Sequence, residues 1–208
     1  MVANHDPGFL VLAAGKAQRF GGNKLTEAIT DKSSETVIET TLNRIAATGC
    51  KNICVVVSES NDLLRAALTA FHSQVPELQI LTFPQQSPGL GDSICQGVKA
   101  TAAQAWTGWI ICLADMPLIS THTYTSLLHL SESQPLVAPH YEGLRGHPVY
   151  FSERYAQQLC SLQGDSGAKS VLQQHADQLF QLDVEDPHIL LDIDTPSDLT
   201  RARHLYKT

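Results

Sequence analysis

The sequence predicts an α/β fold, a mostly parallel sheet with helices on both faces, built as a single domain over residues 1–208 with 1–8 flexible. Three observations predict it. Short runs rich in Val, Ile, Leu and Phe alternate with segments of helical period, which is the rhythm of parallel strands joined by right-handed crossovers. A length of 208 residues, 43% hydrophobic and 17% charged, suits one unit with a sizeable core and argues against disorder or a fibrous repeat. The first apolar run also stops abruptly in a glycine-rich turn, and in such folds ligands bind beyond the carboxyl ends of the strands.

In chain order, the first strand is FLVLAA (9–14). Residues 36–48 carry Val37, Ile38, Leu42 and Ile45 at helical spacing, and Gly49 supplies the stop. NICVVV (52–57) is the next strand, and Asn61 is a good N-cap for a helix over 61–71. Strands LQILTF (78–83) and WIICLA (109–114) flank a helix over 92–105, and a helix over 121–130 leads to strands PLVAP (135–139) and HPVYF (147–151). Helical composition at 152–162 and 166–179 precedes strands LFQLDV (179–184) and HILLDI (188–193), and a last helix spans 196–206. Residues 33–35 and 85–91 are the loops long enough to move.

The bulk properties exclude several classes. The start MVANHDPG lacks the basic and apolar parts of a signal peptide, and no apolar run approaches the roughly 20 residues that span a bilayer, so a cytoplasmic protein with no membrane partner is expected. Five cysteines at positions 50, 54, 95, 112 and 160 show no CxxC or His spacing and read as free thiols, with Cys54 and Cys112 inside strands. A formal net charge of -7 argues against a nucleic-acid partner, which would require a broad basic face.

Against that acidic balance, the turn GKAQRFGGNKL gathers Lys16, Arg19 and Lys24. Gly15, Gly21 and Gly22 let backbone N–H groups approach a ligand, and the cations carry the sign a triphosphate requires, so the turn reads as a phosphate cradle. It is not a P-loop, because Lys24 is followed by Leu25 rather than by Ser or Thr, and it has no GxGxxG fingerprint. The alternative is a glycine-rich surface turn with solvated cations. Two carboxylate positions favour the cradle. Asp115 ends the fourth strand just before Pro117, facing the ligand crevice. Asp192 and Asp194, two apart at an expected strand end, share a face, and hard oxygen ligands from two strand ends suit Mg²⁺ beside substrate phosphates. Thr195, Pro196 and Asp198 instead read as a helix start, with Asp198 a cap.

The stretch LAAGKAQRFGGNKL closely resembles the LAAGxSxRFGxxKL signature of the molybdenum cofactor nucleotidyltransferases, in particular their cytidylyltransferase branch. PGLGDSICQGV, LADMPLI, RGHPVYF, LQGDSGAKSVL and LDIDTPSDL resemble later motifs of that branch in the same order, so the likeness spans nearly the whole chain. The resemblance implies a Rossmann-like nucleotidyltransferase that binds an NTP with Mg²⁺, transfers the nucleotidyl group to the terminal phosphate of molybdopterin, and releases pyrophosphate. It implies a catalytic set of Arg19, Lys24 and Asp115, with Asp115 and Asp194 as metal ligands and Asp192 the alternative to Asp194. Leu12, Ala13, Ala14, Gly15, Arg19 and Lys24 would bind the nucleotide. Ser87, Gly89, Gly91 and Ser93 would form the other wall of the base pocket, the glycines by allowing close approach. Arg145 and His147 could face the acceptor, although a His before a Pro-bounded strand also has a structural reading.

CTP is favoured over GTP, because Ala14 stands where the guanylyl branch has a second glycine and its methyl group narrows the space for a purine. A molybdoenzyme receiving the product is a possible partner. The chain also departs from the family pattern. LTEAITDKSSETVIE lacks the usual glycine-containing turn, and Lys169 replaces an expected Arg, losing bidentate phosphate binding. Asp165 reads either as a cap for the helix from 166 or as a substrate contact. Two alternatives remain: a nucleotidyltransferase using GTP or a sugar phosphate, and a non-catalytic carrier or redox protein on the same fold.

Overall fold

The computed structural model describes residues 6–15, 20–30, 34–83, 89–104 and 106–206. An eight-stranded sheet is built from β1 (Gly8–Leu12), β2 (Ile53–Ser58), β3 (Leu78–Phe83), β4 (Gly108–Leu113), β5 (Leu136–Tyr141), β6 (Leu144–Arg145), β7 (Val149–Ser152) and β8 (Phe180–Asp183). Its order is β3-β2-β1-β4-β7-β5-β6, with β8 pairing β5. The first four strands are parallel, and β1 lies between β2 and β4 with Leu10 level with Cys54 on one side and Ile111 on the other. β7 runs antiparallel between β4 and β5, so the sheet is mixed beyond its parallel half.

Alternation along the strands divides the core in two. Phe9, Val11, Val55, Val57, Ile110 and Cys112 face one side, where α1 (Val37–Ala46), α2 (Asp62–His72), α4 (Thr121–Ser131) and α7 (Pro196–Tyr206) contribute Leu42, Leu68, Leu127 and Leu199. Leu10, Leu12, Cys54, Val56 and Ile111 face the other, under α3 (Leu90–Ala102), α5 (Ala156–Cys160) and α6 (Lys169–Gln174). Both faces are therefore covered, as the sequence predicts. All five cysteines are free, and burial pushes the Cys54 thiol up to about 12, which makes it inert packing rather than a nucleophile.

Four expectations change. Residues 6–8, expected to be flexible, are held: the Asp6 N–H donates to Thr107 Oγ1 at 2.8 Å, and Gly8 belongs to β1, with the Trp106 ring where a Cβ would sit. The expected helices at 152–162 and 166–179 break into short pieces, α5 and α6 with 3₁₀ turns around them. β6, only two residues long, is too short to show a period. HILLDI is not a strand: Pro187–Leu190 forms a 3₁₀ turn with Pro187 at its start and the Asp186 carboxylate accepting from the His188 N–H. That local capping outweighs the apolar composition of the run, which makes isolated backbone bonds instead of a ladder: the Ile189 carbonyl accepts from the His147 N–H and the Ile193 N–H donates to the Asp115 carbonyl, both at 3.0 Å.

Asp186 also accepts from the Ser120 N–H and the Thr123 hydroxyl, both at 2.8 Å, so one carboxylate joins the start of α4 to the 187–190 turn. Burial by itself would raise its pKa, but these donors outweigh it and hold the carboxyl below its ordinary value of 3.8. Asp186→Ala is expected to destabilise the protein by about 1–3 kcal/mol at neutral pH, because the donors lose a charged acceptor. A depressed folded-state pKa contributes stability above the unfolded value that is lost as pH falls through the folded value, so the gap between wild type and variant should shrink below about pH 4. Urea unfolding from pH 7 down to pH 3 measures it, and a gap that does not change with pH would deny Asp186 this role.

Candidate active site

The parallel strands β2, β1 and β4 end side by side, and their continuation frames a cleft of about 380 Å³. The backbone stays tied for a residue or two past the strand ends, where Ala13 N–H donates to the Val56 carbonyl at 2.9 Å and Ala114 N–H to the Leu12 carbonyl at 3.2 Å. The cleft is lined by Leu12, Ala13, Ala14 and Gly15 from the β1 end, by Gly22, Asn23, Lys24 and Leu25 from the returning loop, and by Ala114, Asp115 and Asp194. Ser58, Ser60 and Asn61 line it from the end of β2. Sequence reasoning missed these last three, although the polar run after NICVVV at a strand's carboxyl end was the available signal. Among the described residues, a Cβ built on Gly15, Gly21 or Gly22 would meet nothing within 4 Å. Gly21, at φ +74°, takes a conformation that glycine adopts without strain.

Lys24 begins a 3₁₀ turn, Lys24–Thr26, anchored by the buried side chain of Leu25. Its ammonium donates to Asp115 Oδ2 at 2.6 Å and to Asp194 Oδ1 at 3.0 Å. The Lys24 and Asp115 side chains are 12% and 18% exposed and that of Asp194 45%, so the cluster is buried at the lysine and opens toward solvent at Asp194. Asp194 arrives by backbone geometry: the Ile193 N–H donates to the Asp115 carbonyl at 3.0 Å, and the buried Ile193 side chain holds that register. The expected helix start follows at once, with Asp198 Oδ2 accepting from the Thr195 N–H at 2.7 Å and the Thr195 hydroxyl accepting from the Asp198 N–H. The Thr195 hydroxyl, which donates to the same carboxylate at 2.7 Å, and the Thr195 N–H lower the Asp198 pKa, consistent with a capping role. Asp192, the alternative to Asp194, is exposed and does not line the cleft.

Burial pulls the Lys24 pKa down, but the charges and hydrogen bonds of Asp115 and Asp194 outweigh it and raise it, so the side chain stays a cation. Burial raises the Asp115 pKa, and Lys24 opposes that rise. Among the described residues no group of three or more His, Cys, Asp or Glu side chains converges as a closed metal cage. Two carboxylates already gathered on one cationic nitrogen nevertheless fit Mg²⁺, which commonly takes one or two protein carboxylates together with substrate phosphates and water.

A second cavity of about 210 Å³ lies across β1, and Leu12 lines both. Its floor is apolar, with Ile94, Ile111, Val149, Phe151 and Leu172, and Arg145, His147, Ser166 and Lys169 supply its polar groups. Arg145 and His147 are thus brought together as expected, and Lys169 joins them. Burial, then the positive charge of Arg145, lowers the His147 pKa against an opposing effect of Asp192, so its ring is neutral at pH 7. Among the described residues its buried Nδ1 has no hydrogen-bond partner.

Gly89, Gly91 and Ser93 line neither cavity. The space beside the two glycines is filled by the backbone of residues 163–165, and the Ser93 hydroxyl donates to the Gly89 carbonyl at 3.2 Å, so what the glycines visibly admit is the Gly164–Ser166 turn. Asp165 does not cap α6, which has no side-chain cap; Asp92 Oδ2 instead accepts from the Gly164 N–H at 2.6 Å. Arg19 and Ser87 lie outside the described residues.

A mixed, mostly parallel sheet with a glycine-lined cleft at its switch, and a lysine facing two carboxylates there, defines an α/β protein whose candidate ligand site lies at the strand ends. Residues 9–179 match the model of the MobA-like NTP transferase domain, and the chain belongs to that family of nucleotidyltransferases. It is 28% identical over 199 residues to the purine catabolism protein PucB of Bacillus subtilis (strain 168), covering 92% of this chain and 93% of that one. It is 22% identical to the molybdenum cofactor cytidylyltransferase of Escherichia coli (strain K12), covering 95% of each. The solved structure of Rv0371c complexed with manganese, from Mycobacterium tuberculosis H37Rv, superposes with a TM-score of 0.78 at 21% identity over 96% of this chain and 98% of that one.

The packing of Gly89 gives a direct test of its part in the fold. A Cβ there would stand 2.1 Å from the Gly164 carbonyl carbon and 2.6 Å from the Asp165 nitrogen, both backbone atoms that can yield only by moving the turn. Gly89→Ala should therefore destabilise the protein by about 1–3 kcal/mol, as overpacking does. Equal urea midpoints for variant and wild type would show that the 163–165 segment moves aside at no cost.

Proposed function

We propose that this protein transfers CMP from CTP to the terminal phosphate of molybdopterin or a closely related acceptor, with Mg²⁺, releasing pyrophosphate. The observation that carries the reading is the meeting of Lys24, Asp115 and Asp194 in a cleft that the backbone of Gly15 and Gly22 also lines. Two carboxylates gathered on a cation at strand ends suit phosphoryl chemistry with a divalent ion, which favours this reading over a carrier or redox protein on the same fold. The likeness to the molybdenum cofactor cytidylyltransferase supports the choice of base and acceptor. Among the described residues no helix is long and apolar enough to cross a membrane, and we place the reaction in the cytoplasm.

In this reading the 15–24 loop and Lys24, with Arg19, hold the triphosphate, and Ala14 limits the base. Asp115 and Asp194 would hold Mg²⁺, which neutralises charge at the reacting phosphates. The apolar floor of the second cavity would take the heterocycle of the acceptor, and Arg145, Lys169 and neutral His147 its polar edge and phosphate. Leu12 lines both cavities, so the two substrates would meet across the end of β1. The acceptor phosphate is already anionic at neutral pH, so attack calls for alignment and charge neutralisation more than for a general base. No covalent enzyme intermediate is needed.

The test is pyrophosphate release with each of the four NTPs, Mg²⁺ and molybdopterin, for which CTP should be the best donor. Release with CTP and a sugar phosphate but not with molybdopterin would replace the acceptor. Asp115→Asn keeps the side chain's size but removes a charge, so turnover should collapse and excess CTP should not restore it. Ala14→Gly should improve GTP against CTP in kcat/KM by about 10- to 200-fold, the usual worth of one methyl group in a pocket. An unmoved ratio would show that Ala14 does not read the base.

A further inference from the structure

The place between Asp115 and Asp194 already holds a cation, the Lys24 ammonium, 2.6 Å from one carboxylate and 3.0 Å from the other. Resting on the metal placement proposed above, we infer that Lys24 and the divalent cation are alternative occupants of this dicarboxylate site, so that free metal is kept out until a nucleotide triphosphate draws Lys24 away. A Mg²⁺ ion bonds carboxylate oxygens at about 2.0–2.1 Å and tolerates little departure from octahedral geometry. An ammonium in hydrogen-bond contact with both carboxylates stands in the same space, and its charge repels the incoming ion.

The lysine is also built to leave. Its four-carbon stem is flexible and its three donors suit any oxyanion, so phosphate oxygens can replace carboxylate oxygens one for one. The space they would occupy is at hand, because Lys24 lines the cleft together with Gly15 and Gly22, where among the described residues a side chain would meet nothing within 4 Å. Charge balance points the same way. Lysine with two carboxylates nets -1, adding a divalent ion without nucleotide makes the cluster positive, and adding it with a triphosphate does not. Metal and nucleotide should therefore enter as a unit, and the buried Asp115 keeps a counter-cation at every stage.

The experiment is Mn²⁺ binding without nucleotide, followed by electron paramagnetic resonance of the free ion, on wild type, Lys24→Met, Lys24→Gln and Lys24→Arg, each checked for folding by circular dichroism. Removing the positive charge should tighten Mn²⁺ by about tenfold or more, a usual size for coupling between two binding events. Lys24→Arg should stay as weak as wild type, and Asp194→Asn added to Lys24→Met should abolish the gain. Wild type as tight as Lys24→Met, with Asp194→Asn weakening both, would overturn the exclusion while leaving the metal placement standing. A gain that survives Asp194→Asn would overturn both. Wild-type protein gives an arm that needs no variant to fold: the Lys24 side-chain NMR resonances should shift with a non-hydrolysable CTP analogue alone and stay in place with Mg²⁺ alone. A shift with Mg²⁺ alone would overturn the inference. Failure of every NTP to release pyrophosphate would count against the proposed reaction and leave these binding results unaffected.

Discussion

The ion pairs from Lys24 to Asp115 and Asp194 join three parts of the chain that are 91 and 170 residues apart in sequence. Each partner needs the others. Asp115 lies at the end of β4 where burial disfavours its charge, and the ammonium opposes that effect. Lys24 is largely buried at a turn, where burial lowers its pKa and the two carboxylates more than offset that effect. The loop leaving β1, the end of β4 and the approach to α7 are closed into one cleft by this cluster and by the Ile193 to Asp115 backbone bond beside it. In the proposed reaction the same three side chains serve phosphate and metal, so the contact that organises the cleft is also the one that substrate must rearrange.

The mixed sheet decides where the second cavity lies. If β7 paired parallel, its connections would cross a face of the sheet; as an antiparallel insert between β4 and β5, it sets Val149 level with Ile111 and Phe151 level with Trp109 and places the turn before it at the sheet's ligand end. Gly146 tightens that arrangement, since a Cβ there would stand 2.4 Å from the Ile189 carbonyl oxygen. The 187–190 turn is thereby pressed against the turn that carries His147 into β7, and Asp186 ties the same turn to α4. The capping network and the wall of the second cavity are thus mechanically one piece.

The glycines divide into two kinds. Gly15 and Gly22 border open cleft, which suits a backbone that receives a ligand. Gly89 and Gly91 border the backbone of residues 163–165, which suits a helix start pressed against a turn. Composition does not distinguish these uses, because a missing side chain looks the same in sequence whether its space is left for a ligand or taken by another segment.

By itself the sequence determined the strands β1 to β5, β7 and β8, the two-sided helical cover, the capping box before α7, Lys24 as a cation on the turn that follows β1, and Asp115 as a carboxylate at the end of β4. These are local properties: period, turn residues and caps are written within a few positions of one another. Only the tertiary structure decided that Asp194 and not Asp192 reaches Lys24, that β7 runs antiparallel, that HILLDI turns instead of pairing, and that Gly89 and Gly91 face a turn. Each of those depends on contacts between residues far apart in the chain. Strand pairing, cap and close-packed neighbour compete there by fractions of the total free energy, and no local pattern records which of them wins.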